Sequence, residues 1–377
     1  MPDTSLTERQ AFMVLNDLPN IGPVSLNRLL AEFQDDPCAI LGADRRRLER
    51  VKGVGPETSA AVVNWREHFD LAREEARLAQ AGASFITARD EGYPKLLKEI
   101  HDPPIGLYRK GDYLFAQPCI AVVGSRRTTL YGQSVAKKLG ADLARLGFCV
   151  VSGLARGIDT AAHEGALSVG GKTAAVLGCG IDIVYPPENL GLYRRITETG
   201  AVLSEFPFGR KADKQTFPMR NRVVSGICEA VVVVESDVSG GAMITARFAG
   251  EQGRLIYAVP GRIDQPSSAG CHQLIRDGAT LFTSVDDILN ELNYLDGLRP
   301  QAITTEGQVG LLEQLLPQLD AGEQRVIAAF AGGAIVSIDA LISSTGLSSP
   351  EVSAALMGLE LKKLVQKRAD GTFEARS

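Results

Sequence analysis

The sequence predicts an α/β chain built on a doubly wound, mostly parallel sheet, with a helical segment before it and a small helix-and-wing segment after it. Three observations carry this. Short, nearly uninterrupted apolar runs such as AVVVVE recur between residues 118 and 293, as strands covered on both faces require. Helical patterns separate these runs, which is the alternation of parallel strands joined by crossovers. Most runs end in a glycine- or arginine-rich turn, and in open α/β sheets that carboxyl edge is where ligands sit.

Taken in order, residues 1–80 read as a helical hairpin domain of helix-hairpin-helix or SAM-like type. Leu18-Pro-Asn-Ile-Gly-Pro23 and Val51-Lys-Gly-Val-Gly-Pro56 each place an apolar–Gly–Pro turn at the start of a helix, with proline where a missing N–H costs nothing. Such a turn can hold a DNA phosphate on its amides. Basic residues just after the turns are sparse, which equally suits a packing or protein-interaction module. Residues 81–293 form the Rossmann-like domain, with a core at 118–293. Its expected strands are 119–124, 148–152, 173–177, 201–204, 230–235 and 255–259, and helices are expected at 131–146 and 242–252. Residues 294–318, mixed in polar, Gly and Pro content, read as a linker. Residues 319–377 have the spacing of a winged helix, with Ser348 or Ser349 as N-cap and Pro350 near the first helical position. The third helix is apolar and acidic through most of its length, so both a protein-binding wing and a DNA reader stay open.

Composition narrows the function. A chain of 377 residues with 45% hydrophobic and 23% charged residues is an ordinary folded protein of two or three domains. The net charge of −5 excludes a uniformly basic coat but not a local groove. Cys119, Cys149 and Cys179 lie in or beside apolar runs, no C-x-x-C pair occurs, and histidines 68, 101, 163 and 272 are scattered. We therefore expect buried thiols in a reducing compartment and no metal site. The N-terminus lacks the features of a signal peptide, and no apolar run approaches the roughly 20 residues that span a bilayer. The expected location is the cytoplasm.

The expected ligand site lies on the carboxyl edge of the sheet. Gly124-Ser125-Arg126 ends the first strand, with glycine for close approach, serine as a donor and arginine to fork onto phosphate. Arg156 lies in the turn after the second strand. Ser239-Gly240-Gly241 opens a helix as an anion site. Between the fourth and fifth strands, Arg210, Lys211, Lys214, Arg220 and Arg222 stand against Asp213 alone, with Phe206, Phe208 and Phe217 interleaved. Charges that follow a backbone and rings that stack on bases are what single-stranded nucleic acid needs. The competing reading is a solvated loop whose phenylalanines face the core. Glu205, Asp159, Asp182 and His163 could be imagined as acid–base groups, but no activated nucleophile accompanies them. No P-loop and no G-x-G-x-x-G follows the first strand. The expectation is a binding protein without turnover or cofactor.

The blocks AVVGSRRTTLYG, VVSGLARGIDTAAHEGAL, LGCGIDIVYPPEN, LSEFPFG, FPMRNRVVSG, VVVVESDVSGGAMITARFAGEQGR and AVPGRID…SSAGCHQLI occur in one order over residues 90–290. In this the chain resembles the DNA-processing protein A (DprA, Smf) family. The resemblance implies a protein that binds and protects incoming single-stranded DNA during natural transformation and helps load the RecA recombinase. It implies no cofactor, a homodimer through the Rossmann-like domain, DNA contacts at Gly124, Ser125, Arg126, Lys214 and Phe217, and a dimer or RecA surface near His272 and Ile275. Where some members carry lysines, this chain has Pro187, Glu188 and Asn189, so one cationic contact is expected to be missing.

Two other readings compete. A nucleotide phosphoribohydrolase of the lysine-decarboxylase-like type would need a glutamate one turn into the helix after Gly240-Gly241. Ala246, Arg247 and Phe248 stand there instead, and the first carboxylate is Glu251. A sensor of one small nucleotide would use the same edge, but its affinity would not rise with oligonucleotide length.

Overall fold

The computed structural model describes residues 6–292, 319–330, 335–362, 364–367 and 371–375. These fall into two compact units, one within Met1–Gln301 and one within Ala302–Ser377. The expected linker, 294–318, lies outside the described residues.

The first unit begins with seven helices: α1 (Glu8–Asp17), α2 (Pro23–Glu32), α3 (Pro37–Leu41), α4 (Arg45–Leu48), α5 (Pro56–Val63), α6 (Trp65–His68) and α7 (Leu71–Ala81). Proline opens α2 and α5 after Gly22 and Gly55, as the repeated turn predicts. Arg28 joins the two turns by donating to the Lys52 carbonyl at 3.1 Å. The helices share one core with the strand residues Phe85 and Tyr108 and with Ile105 and Ile181, so the helical segment is built onto one edge of the sheet.

That sheet has nine strands: β1 (Ala83–Ile86), β2 (Leu107–Lys110), β3 (Cys119–Val123), β4 (Cys149–Ser152), β5 (Thr173–Leu177), β6 (Ala201–Ser204), β7 (Ala230–Val233), β8 (Leu255–Ala258) and β9 (Thr280–Leu281). Their order is β1-β2-β6-β5-β4-β3-β7-β8-β9. β1 and β2 form an antiparallel hairpin that also runs antiparallel to β6, and every pairing from β6 to β9 is parallel. The six expected strands are all present. The hairpin and β9 are additions that the alternating pattern did not reveal.

The remaining helices of this unit are α8 (Leu130–Arg145), α9 (Ile158–Ser168), α10 (Leu190–Thr199), α11 (Thr216–Ile227), α12 (Gly241–Glu251), α13 (Ala269–Arg276) and α14 (Val285–Glu291). Alternate residues of one strand point to opposite faces. Cys119, Ala121 and Val123 of β3 therefore meet α11, α12 and α13, while Ile120 and Val122 meet α8, α9 and α14. The crossover from β3 runs through α8 to β4 on one side, and that from β7 runs through α12 to β8 on the other. β3 and β7 are neighbours, so the topological switch point lies between their carboxyl ends.

The second unit holds α15 (Ala321–Ala328), α16 (Ile338–Thr345) and α17 (Ser349–Leu361), with β10 (Ile335–Val336), β11 (Val365–Lys367) and β12 (Phe373–Ala375) in the order β10-β12-β11. Ser348 caps α17, and its N–H donates to the Glu351 carboxylate at 2.8 Å. Val326, Leu341, Val352, Leu356, Leu359 and Phe373 form the core.

Helices α8 and α9 touch without room for side chains at two glycines. A Cβ at Gly165 would lie 2.0 Å from the Lys137 carbonyl, and one at Gly140 would lie 2.3 Å from that of Ala162. Gly165→Val should therefore destabilise the chain by roughly 1–3 kcal/mol through overpacking. A urea midpoint equal to wild type would contradict this packing.

Candidate nucleic-acid interface

At the switch point, the turn after β3 is fastened to the exit of β7. The Ser125 N–H donates to the Glu235 carbonyl at 2.7 Å, and a Cβ at Gly124 would stand 2.9 Å from that oxygen and 2.6 Å from Ile158. Only glycine fits this approach. The Glu235 carboxylate, almost fully buried, accepts from the Thr129 N–H at 2.9 Å and from the hydroxyls of Thr128 and Thr129. An internal anion thus occupies the amino end of α8, the place where a doubly wound fold would otherwise hold a ligand phosphate.

Side-chain carboxylates also fasten the turns that lead into α9 and α12. Buried Asp159 accepts from the N–H groups of Gly153 at 3.1 Å and Ala155 at 3.3 Å. Burial raises its pKa, with Arg220 acting in the opposite sense. Before α12, the Asp237 carboxylate takes the Ser239 N–H at 2.8 Å and hydroxyl at 2.7 Å, and the Asp237 carbonyl takes the Gly240 N–H at 3.1 Å. Of the expected anion site at Ser239, Gly240 and Gly241, the Ser239 amide is taken by the Asp237 carboxylate and the Gly240 amide by the Asp237 carbonyl, while Gly241 opens α12 on the surface.

The basic segment after β6 divides into a loop and a helix, which changes the role of its charges. Arg220 and Arg222 lie on α11, whose buried face covers the sheet. Arg222 is 4% exposed and pairs with Glu205 and Asp102, also donating to the Asp102 carbonyl. Arg220 is 5% exposed and donates to the Val176 carbonyl at 2.7 Å. A Cβ at Gly153 would fall 1.6 Å from its guanidinium. Both were expected as DNA contacts. Both are internal, because α11 is buried over most of its circumference: Arg220 reaches the sheet at Val176, and Arg222 turns to the other side, towards Asp102 and Glu205. Arg210 pairs with Asp213 at 2.6 Å. The local charge read from the sequence thus overstates what a ligand meets.

Phe206 and Phe208 follow the core reading. Phe206 is buried, and Phe208 packs edge-on to Tyr108 at 5.4 Å. Phe217 is different. It is half-buried at the strand ends, the Arg126 guanidinium lies 4.6 Å from its centroid, and Tyr185 tilts beside it at 5.8 Å. In the two segments that carry Arg126 and Phe217, the side chains of Arg126, Arg127, Lys211 and Lys214 are exposed and form no ion pair among the described residues. The Ser125 hydroxyl accepts from the Arg127 N–H at 3.1 Å and has its own proton to offer. Arg156 is exposed but pairs with Glu188. Tyr185, 39% exposed, was missed in the sequence, where only its place in the VYPPEN block marked it.

The imagined acid–base groups are structural. Asp182 accepts from the Gly209 N–H at 3.0 Å, and Glu205 holds Arg222. Glu251 pairs with Arg247 on the outer side of α12. His163 is fully buried against Thr173, and burial, assisted by Arg220, pushes its imidazole down to about 3. Among the described residues no three potential ligands gather into a metal cluster, and no helix is long and apolar enough to cross a membrane. Elsewhere, His272 approaches the Gly261 carbonyl at 3.0 Å, and Ile275 is partly buried on α13 beside edge strand β9.

The architecture is that of a doubly wound, Rossmann-like protein whose carboxyl edge presents cationic side chains over internally satisfied turns, joined in one chain to a winged helix. A family model described as DNA recombination-mediator protein A matches residues 84–293, and one described as DprA winged helix domain matches 312–371. Protein Smf of Synechocystis sp. is 32% identical over 399 residues, covering 98% of this chain and 99% of that protein. DNA processing protein DprA of Streptococcus pneumoniae is 44% identical over 224 residues, covering 59% of this chain and 79% of that one. The X-ray structure of the Streptococcus pneumoniae protein superposes with a TM-score of 0.66 at 34% identity, over 76% of this chain and 99% of that one. A structure titled for the single-stranded DNA binding mode of DNA processing protein A from Helicobacter pylori matches with a TM-score of 0.51 at 29% identity, over 56% of this chain and 96% of that one. The chain belongs to the DprA family.

Two predictions follow from the buried groups. Arg222→Met should cost about 3–5 kcal/mol in urea unfolding, because it strands the Glu205 carboxylate. A near-neutral effect would place Arg222 outside the core. For His163, the folded pKa lies below the unfolded value of about 6.5. The unfolded chain therefore binds the proton first. His163 costs no stability above that value, and stability falls with a one-proton slope as pH drops towards 3. His163→Gln should remove that slope from the pH dependence of the urea midpoint.

Proposed function

We propose that this chain binds single-stranded DNA along the carboxyl edge of its sheet and performs no chemistry on it. The observation that carries the proposal is the Arg126–Phe217 stack, on two segments whose Arg127, Lys211 and Lys214 are exposed and form no ion pair among the described residues. Cations spaced along an edge suit a phosphodiester backbone, and a guanidinium lying on a ring offers bases a flat, sequence-tolerant surface. Ser125 supplies a hydroxyl donor beside Arg126. Several turn amides of this edge already hold Glu235, Asp159 and Asp237, which counts against both a mononucleotide sensor and a phosphoribohydrolase. The Helicobacter pylori relative, DNA processing protein A with a single-stranded DNA binding mode, supports the same reading.

Within the family's role, we propose that the chain acts on DNA in transformation and recombination in the cytoplasm and helps load RecA. We also propose that it self-associates near His272 and Ile275, where α13 and the short edge strand β9 leave Leu281 46% exposed.

Arg126→Ala and Lys214→Glu should each weaken binding of a labelled single-stranded oligonucleotide roughly tenfold, with thermal unfolding unchanged, since both side chains are exposed. Each should also make the plot of log K against log salt shallower, Arg126→Ala by about 0.7. Wild-type affinity in the folded double variant would refute the proposed interface.

A further inference from the structure

Arg156, like Arg210 and unlike Arg126, Arg127, Lys211 and Lys214, already holds an anion, and its partner lies in a different turn. Its Nε donates to the Glu188 carboxylate, and both side chains stay about half exposed, at 50% and 52%. The pairing is built into the fold. Arg156 lies in the turn between β4 and α9, and Glu188 lies in the short turn Pro187–Asn189 before α10. Buried Asn189 ties the two turns together, donating from Nδ2 to the Leu154 carbonyl at 2.9 Å and to the Thr160 hydroxyl at 2.9 Å. Tyr185, three residues before Glu188, reaches back to Phe217 and so to Arg126. The sequence of contacts Arg126–Phe217–Tyr185 thus leads to the turn that carries Glu188.

We propose that Glu188 is a built-in stand-in for a backbone phosphate, holding Arg156 in the pose in which it meets DNA and lowering the affinity of the edge until a strand displaces it. The inference rests on the single-strand reading of this edge. A carboxylate oxygen and a phosphate oxygen make the same charge-assisted contact with a guanidinium, so one can replace the other. A surface pair of this kind is weak enough to exchange. A strand engaged at Arg126 and Lys214 brings phosphates past Arg156 at high local concentration, whereas a lone nucleotide gains nothing from the neighbouring contacts. Glu188 would therefore sharpen discrimination in favour of long strands over short ones.

The test uses the full chain and fluorescence anisotropy with labelled oligothymidylates, short and long, at several salt concentrations. Glu188→Gln keeps the size of the side chain and removes its charge. It should tighten binding of the long strand roughly two- to fivefold and leave the salt slope near that of wild type, because Arg156 neutralises the same phosphate in both complexes. In the Glu188→Gln, Arg156→Ala double variant the gain should vanish and the slope should become shallower by about 0.7. Unchanged or weaker binding by Glu188→Gln, while wild type binds, overturns the inference and leaves the interface standing. An equal gain in the double variant also overturns it, because Glu188 would then act as a general negative charge. Failure of wild type to bind any strand would instead remove the reading of the edge itself.

Discussion

The side chain of Glu235 bridges the two halves of the sheet. It leaves the end of β7 and delivers its carboxylate to the amino end of α8, the helix that follows β3. Its own carbonyl receives the Ser125 N–H, so the turns on either side of the switch point hold each other. Gly124 is required for this approach, and Gly132 is also tight against the carboxylate, where a Cβ would lie 2.4 Å away. Amides left open at a helix start attract anions, and at α8 the chain supplies one itself, while Asp159 and Asp237 fasten the turns that lead into α9 and α12.

This internal satisfaction shapes what the edge can do. A fold whose turn amides are free can clasp the phosphates of a single nucleotide. With those amides occupied, attraction for polyanions falls to side chains that reach outward, namely Arg126, Arg127, Lys211 and Lys214, with Arg156 held in reserve by Glu188. Side-chain cations spread along an edge favour a ligand that is itself extended. The buried pairs at Arg222 and Glu205 serve the opposite end, keeping α11 against the sheet so that Phe217 emerges beside Arg126.

Much of the fold was legible in the sequence because buried parallel strands write themselves as continuous apolar runs. Each of the six expected strands appears within two residues of its expected bounds. The β1–β2 hairpin was not legible, since Leu107–Lys110 mixes apolar and charged residues at an edge shared with the helices. The site was legible only in part. Arg126 and Phe217 do come together, and Lys214 is exposed on the segment that carries Phe217. Arg220 and Arg222 were read as groove cations because charge counted along a loop ignores that Thr216–Ile227 is a helix buried on most of its sides. Ser239 and Gly240 were read as open amides because an Asp two or three residues earlier reveals its turn only in three dimensions. Tyr185 escaped notice for a related reason, since its partner Phe217 is distant in sequence.

The account stands or falls on whether the edge recognises an extended strand or a single nucleotide. The direct measurement is the affinity of the wild-type chain for oligothymidylates of increasing length, with a mononucleotide and a duplex as references, at two salt concentrations. The account predicts affinity that climbs over several nucleotides, prefers single strands and falls with salt. Affinity for a mononucleotide equal to that for a long strand, or insensitive to salt, would contradict it.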